Sequence, residues 1–169
     1  MTVRRALVDD VEAMAGVMAA VAGEGLIGTE SPVDVDAVRR RFRDTITGPG
    51  PAAMWVFELE GRILGQAGLH ETGAAGVLAF GAAILPDGRG RGGGRALLAA
   101  ALDHARRCGA HKIELEVWPD NARAIALYSR VGFTVEGVRR DHYRRRDGSL
   151  RSTMLMAIAI DRGAASDAT

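Results

Sequence analysis

The sequence predicts an α/β protein: a three-layer α/β/α sandwich around a mixed, mostly antiparallel sheet. Three observations predict it. Apolar runs of strand and helix period alternate in the order β, α, α, β, β, β, α, β, α, β, β. A turn with glycine at five of the seven positions from Gly88 to Gly94 joins an apolar run ending at Leu85 to a helical run from Ala96. Finally, 169 residues that are 47% hydrophobic suffice for one proper core. One domain over residues 1–162 is expected, with a small polar disordered tail over 163–169.

Each element has its own signal. Thr2 to Leu7 alternates as a short first strand. Asp9 or Asp10 caps a helix to about Ala22, with Val11, Met14, Met18 and Val21 at helical spacing. A glycine-punctuated loop follows, residues 23–30. Ser31-Pro32 reads as a helix start, and Val35, Val38, Phe42 and Ile46 form its apolar stripe. The arginines at 39, 40, 41 and 43 surround that stripe as a solvated face. Ala53 to Leu59 and Ile63 to His70 form a hairpin about Glu60-Gly61. Val77 to Leu85 is the central strand, and Gly81 within it suggests a bulge or a close backbone approach, with a packing glycine as the alternative. After the helix from Ala96 to Arg107 come a strand, His111 to Val117, and a helix, Ala122 to Val131, closed by Gly132. Phe133 to Val138 and Ser152 to Ile160 pair last, with Asp147-Gly148 between them. No internal repeat occurs.

Composition bounds the function. The net charge of +1 gives no global pull toward nucleic acid. The dense run Arg139, Arg140, Arg144, Arg145 and Arg146 beside His142 and Tyr143 is too short for a nucleic-acid grip, and a solvated loop or a patch for an acidic substrate is expected instead. No apolar run reaches membrane-span length, and the first residues carry acids rather than a leader's apolar stretch, so a cytoplasmic location is expected. The single cysteine, Cys108, has no internal disulfide partner and is expected to be half-buried or buried. No metal is expected.

The glycine turn carries the chemistry. Glycines let backbone N–H groups approach an anion closely, a helix N-terminus favours negative charge, and Arg89, Arg91 and Arg95 add forked donors. The segment is expected to cradle a phosphate or pyrophosphate. A Walker P-loop needs lysine, and none occurs here. Gly88, Gly90 and Gly93 satisfy G-x-G-x-x-G, yet the turn lies mid-chain with no room for repeated βαβ units on either side.

Arg89-x-x-Gly92-x-Gly94 resembles the acyl-CoA signature of the GNAT superfamily of N-acetyltransferases. Asn121-Ala122-Arg123-Ala124-Ile125-Ala126-Leu127-Tyr128, followed by Val131-Gly132-Phe133, resembles that family's second cofactor block. The two blocks cover roughly residues 76 to 160. The resemblance implies acetyl-CoA as acyl donor and direct transfer to a primary amine in a ternary complex, the acceptor being an amino acid, a small amine or a protein N-terminus. It implies cofactor contacts from Ile84, Leu85, Arg89, Gly90, Arg91, Gly92, Gly93, Gly94, Arg95, Asn121, Ala124 and Tyr128. In such enzymes the central strand splays from its neighbour to admit the pantetheine arm, and backbone N–H groups near Ile84 polarise the carbonyl. Tyr128 is then the general acid for the departing thiolate, with an ordinary pKa near 10 suited to that transfer. Asn121 as a helix cap and Tyr128 as a core aromatic are the alternatives.

The base is less legible. His70, with the right ordinary pKa, is a candidate, beside Glu24, Glu30 and Glu71. Glu24 and Glu30 are also candidates for substrate contact. Relatives of this kind include homodimers. A non-catalytic acyl-CoA-binding regulatory module and a nucleotide-binding oxidoreductase stand as the alternative functions.

Overall fold

Seven strands form one sheet in the order β1-β2-β3-β4-β5-β7-β6 in a computed structural model that describes residues 1–160. They are β1 (Thr2–Arg5), β2 (Ala53–Leu59), β3 (Arg62–Glu71), β4 (Val77–Ile84), β5 (Lys112–Val117), β6 (Thr134–Arg144) and β7 (Leu150–Ala159). The expected domain end at residues 161–162 and the expected tail, 163–169, lie outside the described residues. Every neighbouring pair is antiparallel except β4 with β5. The sheet is therefore mixed and mostly antiparallel.

Strand alternation sends side chains to two cores. On one face, Met54 and Val56 of β2 pack with Met14 of α1 (Val11–Gly23) and with Val38 and Phe42 of α2 (Val35–Thr47). On the other, Trp55, Phe57 and Leu69 pack with Leu97, Leu98 and Ala101 of α3 (Gly93–Arg107). The fourth helix, α4 (Ala122–Val131), joins this second face through Ala124, Ile125, Tyr128 and Val131, each only partly buried. Helices on both faces give the three layers. Among the described residues no helix is long and apolar enough to cross a membrane.

One departure from regularity positions everything that follows. β4 and β5 pair only from Val77–Lys112 to Ala79–Glu114. Beyond that point β4 stays with β3 as far as Ile84, while β5 stays with β7 as far as Val117. The two central strands part and leave a wedge. The expected bulge at Gly81 is absent: β4 keeps unbroken register against β3, with Gly81 opposite Gly68. No inserted residue is needed, because each strand keeps a complete ladder on its far side. Packing does not account for Gly81 either, since a Cβ there would meet nothing within 4 Å.

Several local expectations are corrected. α2 opens at Val35, not at Ser31-Pro32, because the Asp34 carboxylate accepts from the Ala37 amide at 2.9 Å. This is N-cap chemistry. α3 opens at Gly93, three residues before Ala96, so Gly93, Gly94 and Arg95 form its first turn. β6 continues to Arg144, as the hairpin closes tightly between Arg145 N–H and Ser149 C=O at 2.8 Å. Cys108 is exposed. Asp10 caps no helix amide with its side chain; its carboxylate instead accepts from Leu7 N–H at 2.7 Å and from both terminal nitrogens of Arg4, at 2.7 and 2.9 Å. Arg4 also reaches Glu58 at 2.8 Å, so one guanidinium ties β1, α1 and β2 together.

Candidate active site

A cleft of about 1280 Å³ runs through the wedge, lined by residues from both sheet faces. On the α3/α4 face its floor is the glycine turn. Gly90 and Gly92 have φ of +76° and +84°, a region costly for any side chain. Gly92 is the residue before the first helical turn of α3. The amides of that turn have no carbonyl within the helix to pair with, so they are available to an anion. Gly93 has a different reason to be glycine. A Cβ there would lie 2.6 Å from two ring carbons of Phe57, and one on Gly88 would lie 3.0 Å from the same ring. The glycines thus combine two jobs, turning the chain and seating α3 on a buried phenylalanine.

The arginines divide as well. Arg89 donates from Nε to the Ile84 carbonyl at 2.9 Å, and its two terminal nitrogens grip Glu24 at 2.7 and 2.6 Å. The bridge draws the Glu24 carboxyl below its ordinary range through the Arg89 hydrogen bonds. Arg91 donates to the Asp87 carbonyl and is not part of the cleft lining. Leu85 is likewise outside the lining and packs toward Val21 and Ala83 beneath α1. Ile84, Arg89, Gly90, Gly92, Gly93, Gly94 and Arg95 line it, as do Asn121, Ala124 and Tyr128. Arg123 joins them: its Nη2 would lie 3.8 Å from a Cβ on Gly90, so it overhangs the turn. A two-residue step from Asn121 along a helix was the only sequence signal for it.

Asn121 caps α4, its Oδ1 accepting from the Ala124 amide at 3.2 Å. That occupies the oxygen and leaves the amide nitrogen as a donor. Tyr128 stands edge-on to Phe80 at 6.2 Å and tilted against Phe133 at 5.8 Å. Burial among these rings pushes its hydroxyl up to about 12.

The α1/α2 face carries the other half of the cleft. Register places Gln66, Gly68 and His70 side by side on this face of β3, opposite Ala83, Gly81 and Ala79. Burial, with Arg41 nearby, holds the His70 imidazole below its ordinary pKa of 6.5. Across the wedge stands Glu116 of β5, which accepts from Arg139 Nη1 at 2.8 Å and from the Tyr143 hydroxyl at 2.7 Å. Sequence reasoning missed Glu116. Strand alternation put it opposite the core-facing Ile113, Leu115 and Val117, but nothing local says that β5 borders a gap.

Glu24 and Glu30 do not reach the cleft lining. Glu30 accepts from the Arg146 amide at 2.9 Å. It belongs to a loop between α1 and α2 that the last hairpin holds down: Arg151 donates to the Gly25 carbonyl at 2.7 Å, Arg145 to Gly28 at 3.2 Å and Arg146 to Pro32 at 3.0 Å. Arg151 is stacked 4.4 Å above the Trp118 ring. Two of the expected solvated arginines, 145 and 146, are therefore loop anchors. Glu71 is an exposed strand end.

Residues 25–133 match the model of the acetyltransferase (GNAT) family. The chain is 40% identical over 81 residues to the ribosomal protein bS18-alanine N-acetyltransferase of Escherichia coli (strain K12), 48% of this chain. It spans about half of that relative's length, 54%. It is 31% identical over 122 residues to an L-methionine sulfoximine/L-methionine sulfone acetyltransferase of Pseudomonas aeruginosa, covering 70% of each. The yncA structure from Salmonella typhimurium, solved with its cofactor acetyl-CoA, superposes with a TM-score of 0.83 at 27% identity, over 100% of this chain and 99% of that one. A phosphinothricin acetyltransferase from Sinorhizobium meliloti in complex with acetyl-CoA shares the fold, with a TM-score of 0.84 at 23% identity over 99% and 92% of the two chains.

Proposed function

Since the chain belongs to the acetyltransferase (GNAT) family, we propose that it transfers acetyl from acetyl-CoA to a primary amine, both held in the cleft at once. The observation that carries this is the wedge. It joins an anion-binding helix terminus on one face to a pocket with a titratable histidine on the other, and Tyr128 lines the same cleft.

The residues present fit the donor. The unpaired first-turn amides of α3, with Arg95 and Arg123, would hold its phosphates. Gly81, whose missing side chain faces open space, leaves β4 bare where a thin arm must lie along it. Bound there, acetyl-CoA supplies a thioester-activated acyl carbon; attack by the amine forms the C–N bond, breaks C–S and releases the thiol. The edge of β4 that turns away from β5 beyond Ala79 offers alternate N–H groups to the oxygen that gains negative charge. The Asn121 amide nitrogen orients the arm. Tyr128 would give its proton to the departing sulfur. Burial pushes its hydroxyl up to about 12 rather than the expected value near 10, which makes it a weaker acid than an ordinary tyrosine while leaving it protonated at neutral pH.

An amine attacks only after losing a proton. His70, whose charged form burial disfavours, and Glu116, which is bonded to Arg139 and Tyr143, are candidates on the acceptor face to take it. Separate His70→Gln and Glu116→Gln variants divide the role between them.

Thermal unfolding with acetyl-CoA, CoA, NAD or buffer alone tests the donor. Ligand at a hundred times its dissociation constant stabilises by about 2.7 kcal/mol. That is worth roughly 2–4 °C per kcal/mol for a domain of this size. A rise with both CoA forms and none with NAD is expected. A rise with NAD alone refutes the donor assignment.

A further inference from the structure

The acceptor half of the cleft has a charge pattern that the transfer reaction alone does not require. The two carboxylates in the cleft wall are already bonded to arginines, Glu116 to Arg139 and Asp120 to Arg151 through both oxygens at 3.0 Å. An arriving ammonium therefore meets no free anion. It meets Arg41 of α2 instead, an exposed residue at the cleft mouth on the His70 side, whose guanidinium lies 5.4 Å from the Phe42 ring centroid and makes no salt bridge among the described residues. Gln66 adds a second unmet demand. It is 2% exposed, and neither its amide nitrogen nor its amide oxygen has a partner. A buried amide left without partners is costly, and it suits a ligand that both accepts and donates.

Resting on the acetyltransferase reading above, we infer that the acceptor is a small molecule carrying its own carboxylate beside the amine, a free α-amino acid, with Arg41 pairing that carboxylate. A simple amine or a polyamine would bring only positive charge beside an unpaired guanidinium. A zwitterion brings the missing anion with it, and its two charged groups match the paired donor and acceptor of Gln66. Leu26, Ile27, Phe42 and Met54 surround this end of the cleft, so the side chain it takes is apolar. A polypeptide N-terminus fits less well. It has an uncharged peptide group where the carboxylate would be, and the loop over this pocket is pinned at Gly25, Gly28 and Pro32.

The test is steady-state acetylation of L-methionine, L-leucine and L-phenylalanine, each against its α-carboxamide and a tripeptide beginning with the same residue. At least one free acid is expected to exceed its carboxamide and its tripeptide by about tenfold or more in kcat/KM. Arg41→Met should erase that gap by raising KM for the acid. Carboxamides or tripeptides used as well as the acids, a gap that survives Arg41→Met, or no acetylation of any acid would each overturn the inference. Stabilisation by acetyl-CoA, measured on the same samples, separates the two levels. If it persists while tripeptides win, only the acceptor class is wrong; if it is absent, the donor assignment fails first.

Discussion

Phe57 is the pivot on which the anion-binding turn rests, and Gly93→Ala tests this directly. The new Cβ would sit 2.6 Å from Cδ1 and Cε1 of the ring and 2.8 Å from Cγ. Ordinary carbon contacts are near 3.5–4.0 Å, so about 1 Å must be found. The ring cannot supply it, being 0% exposed. Cβ atoms built at Gly65 and Gly88 already fall within 3.4 and 3.0 Å of that same ring. The helix must move instead. Overpacking of this kind costs about 1–3 kcal/mol, which is roughly 2–12 °C in Tm at about 2–4 °C per kcal/mol. The displacement also carries the first-turn amides off their target, so calorimetric titration should show weaker acetyl-CoA binding, by about tenfold or more. A second change, Phe57→Leu in the Gly93→Ala background, makes room and should recover part of the binding. Unchanged Tm and unchanged affinity in Gly93→Ala would refute the seating of α3 on Phe57.

Two further outcomes are expected. Tyr128→Phe keeps the ring contacts with Phe80 and Phe133 but removes the proton donor, so kcat should fall about a hundredfold or more while acetyl-CoA affinity is retained; stopped assays of thiol release and calorimetry check both. Asp10→Asn weakens the Arg4 fork and should cost about 1–2 kcal/mol, between exposed and buried pairs, because the Asp10 side chain is 10% exposed and that of Arg4 33%. The hydrogen bonds from Arg4 hold the Asp10 carboxyl below its ordinary value of 3.8. Its contribution is therefore complete above about pH 4 and is lost as pH falls through the lower folded-state value. Urea unfolding at pH 7 and pH 3 should show the wild type and Asp10→Asn converging at the lower pH.

Elements closed by a local signal were legible in the sequence. Asn121 and Gly132 bound α4, and the Glu60-Gly61 turn fixes β2 against β3, because each of those residues determines the conformation of its own few bonds. The start of α2 was misread for an equally local reason: Ser31 and Asp34 both offer a capping oxygen, and only the folded chain shows that Asp34 uses it. Long-range pairs left no trace. Arg89 and Glu24 are 65 residues apart, and no pattern near either says that they meet. The glycine turn was read as an anion cradle, which explains Gly90 and Gly92. Gly88 and Gly93 answer to Phe57, some thirty residues upstream, and a sequence cannot show which ring will lie against a glycine. Glu116 and Arg41 were visible only as members of a polar strand face and a basic helix face. The parting of β4 from β5 gives them a cleft to face.

The loop between α1 and α2 is hung from the last hairpin by its main chain. Arg145, Arg146 and Arg151 grip the carbonyls of Gly28, Pro32 and Gly25, atoms that every amino acid possesses. Exchanging side chains at Leu26 or Ile27 leaves those three bonds unchanged. The pocket over the acceptor can therefore be re-cut by substitution within a few residues, while the donor half and its glycines stay as they are. Mutational change in what this chain acts upon should concentrate in that suspended span, and the arginines that carry it should tolerate no replacement, including lysine at the two-handed Arg151.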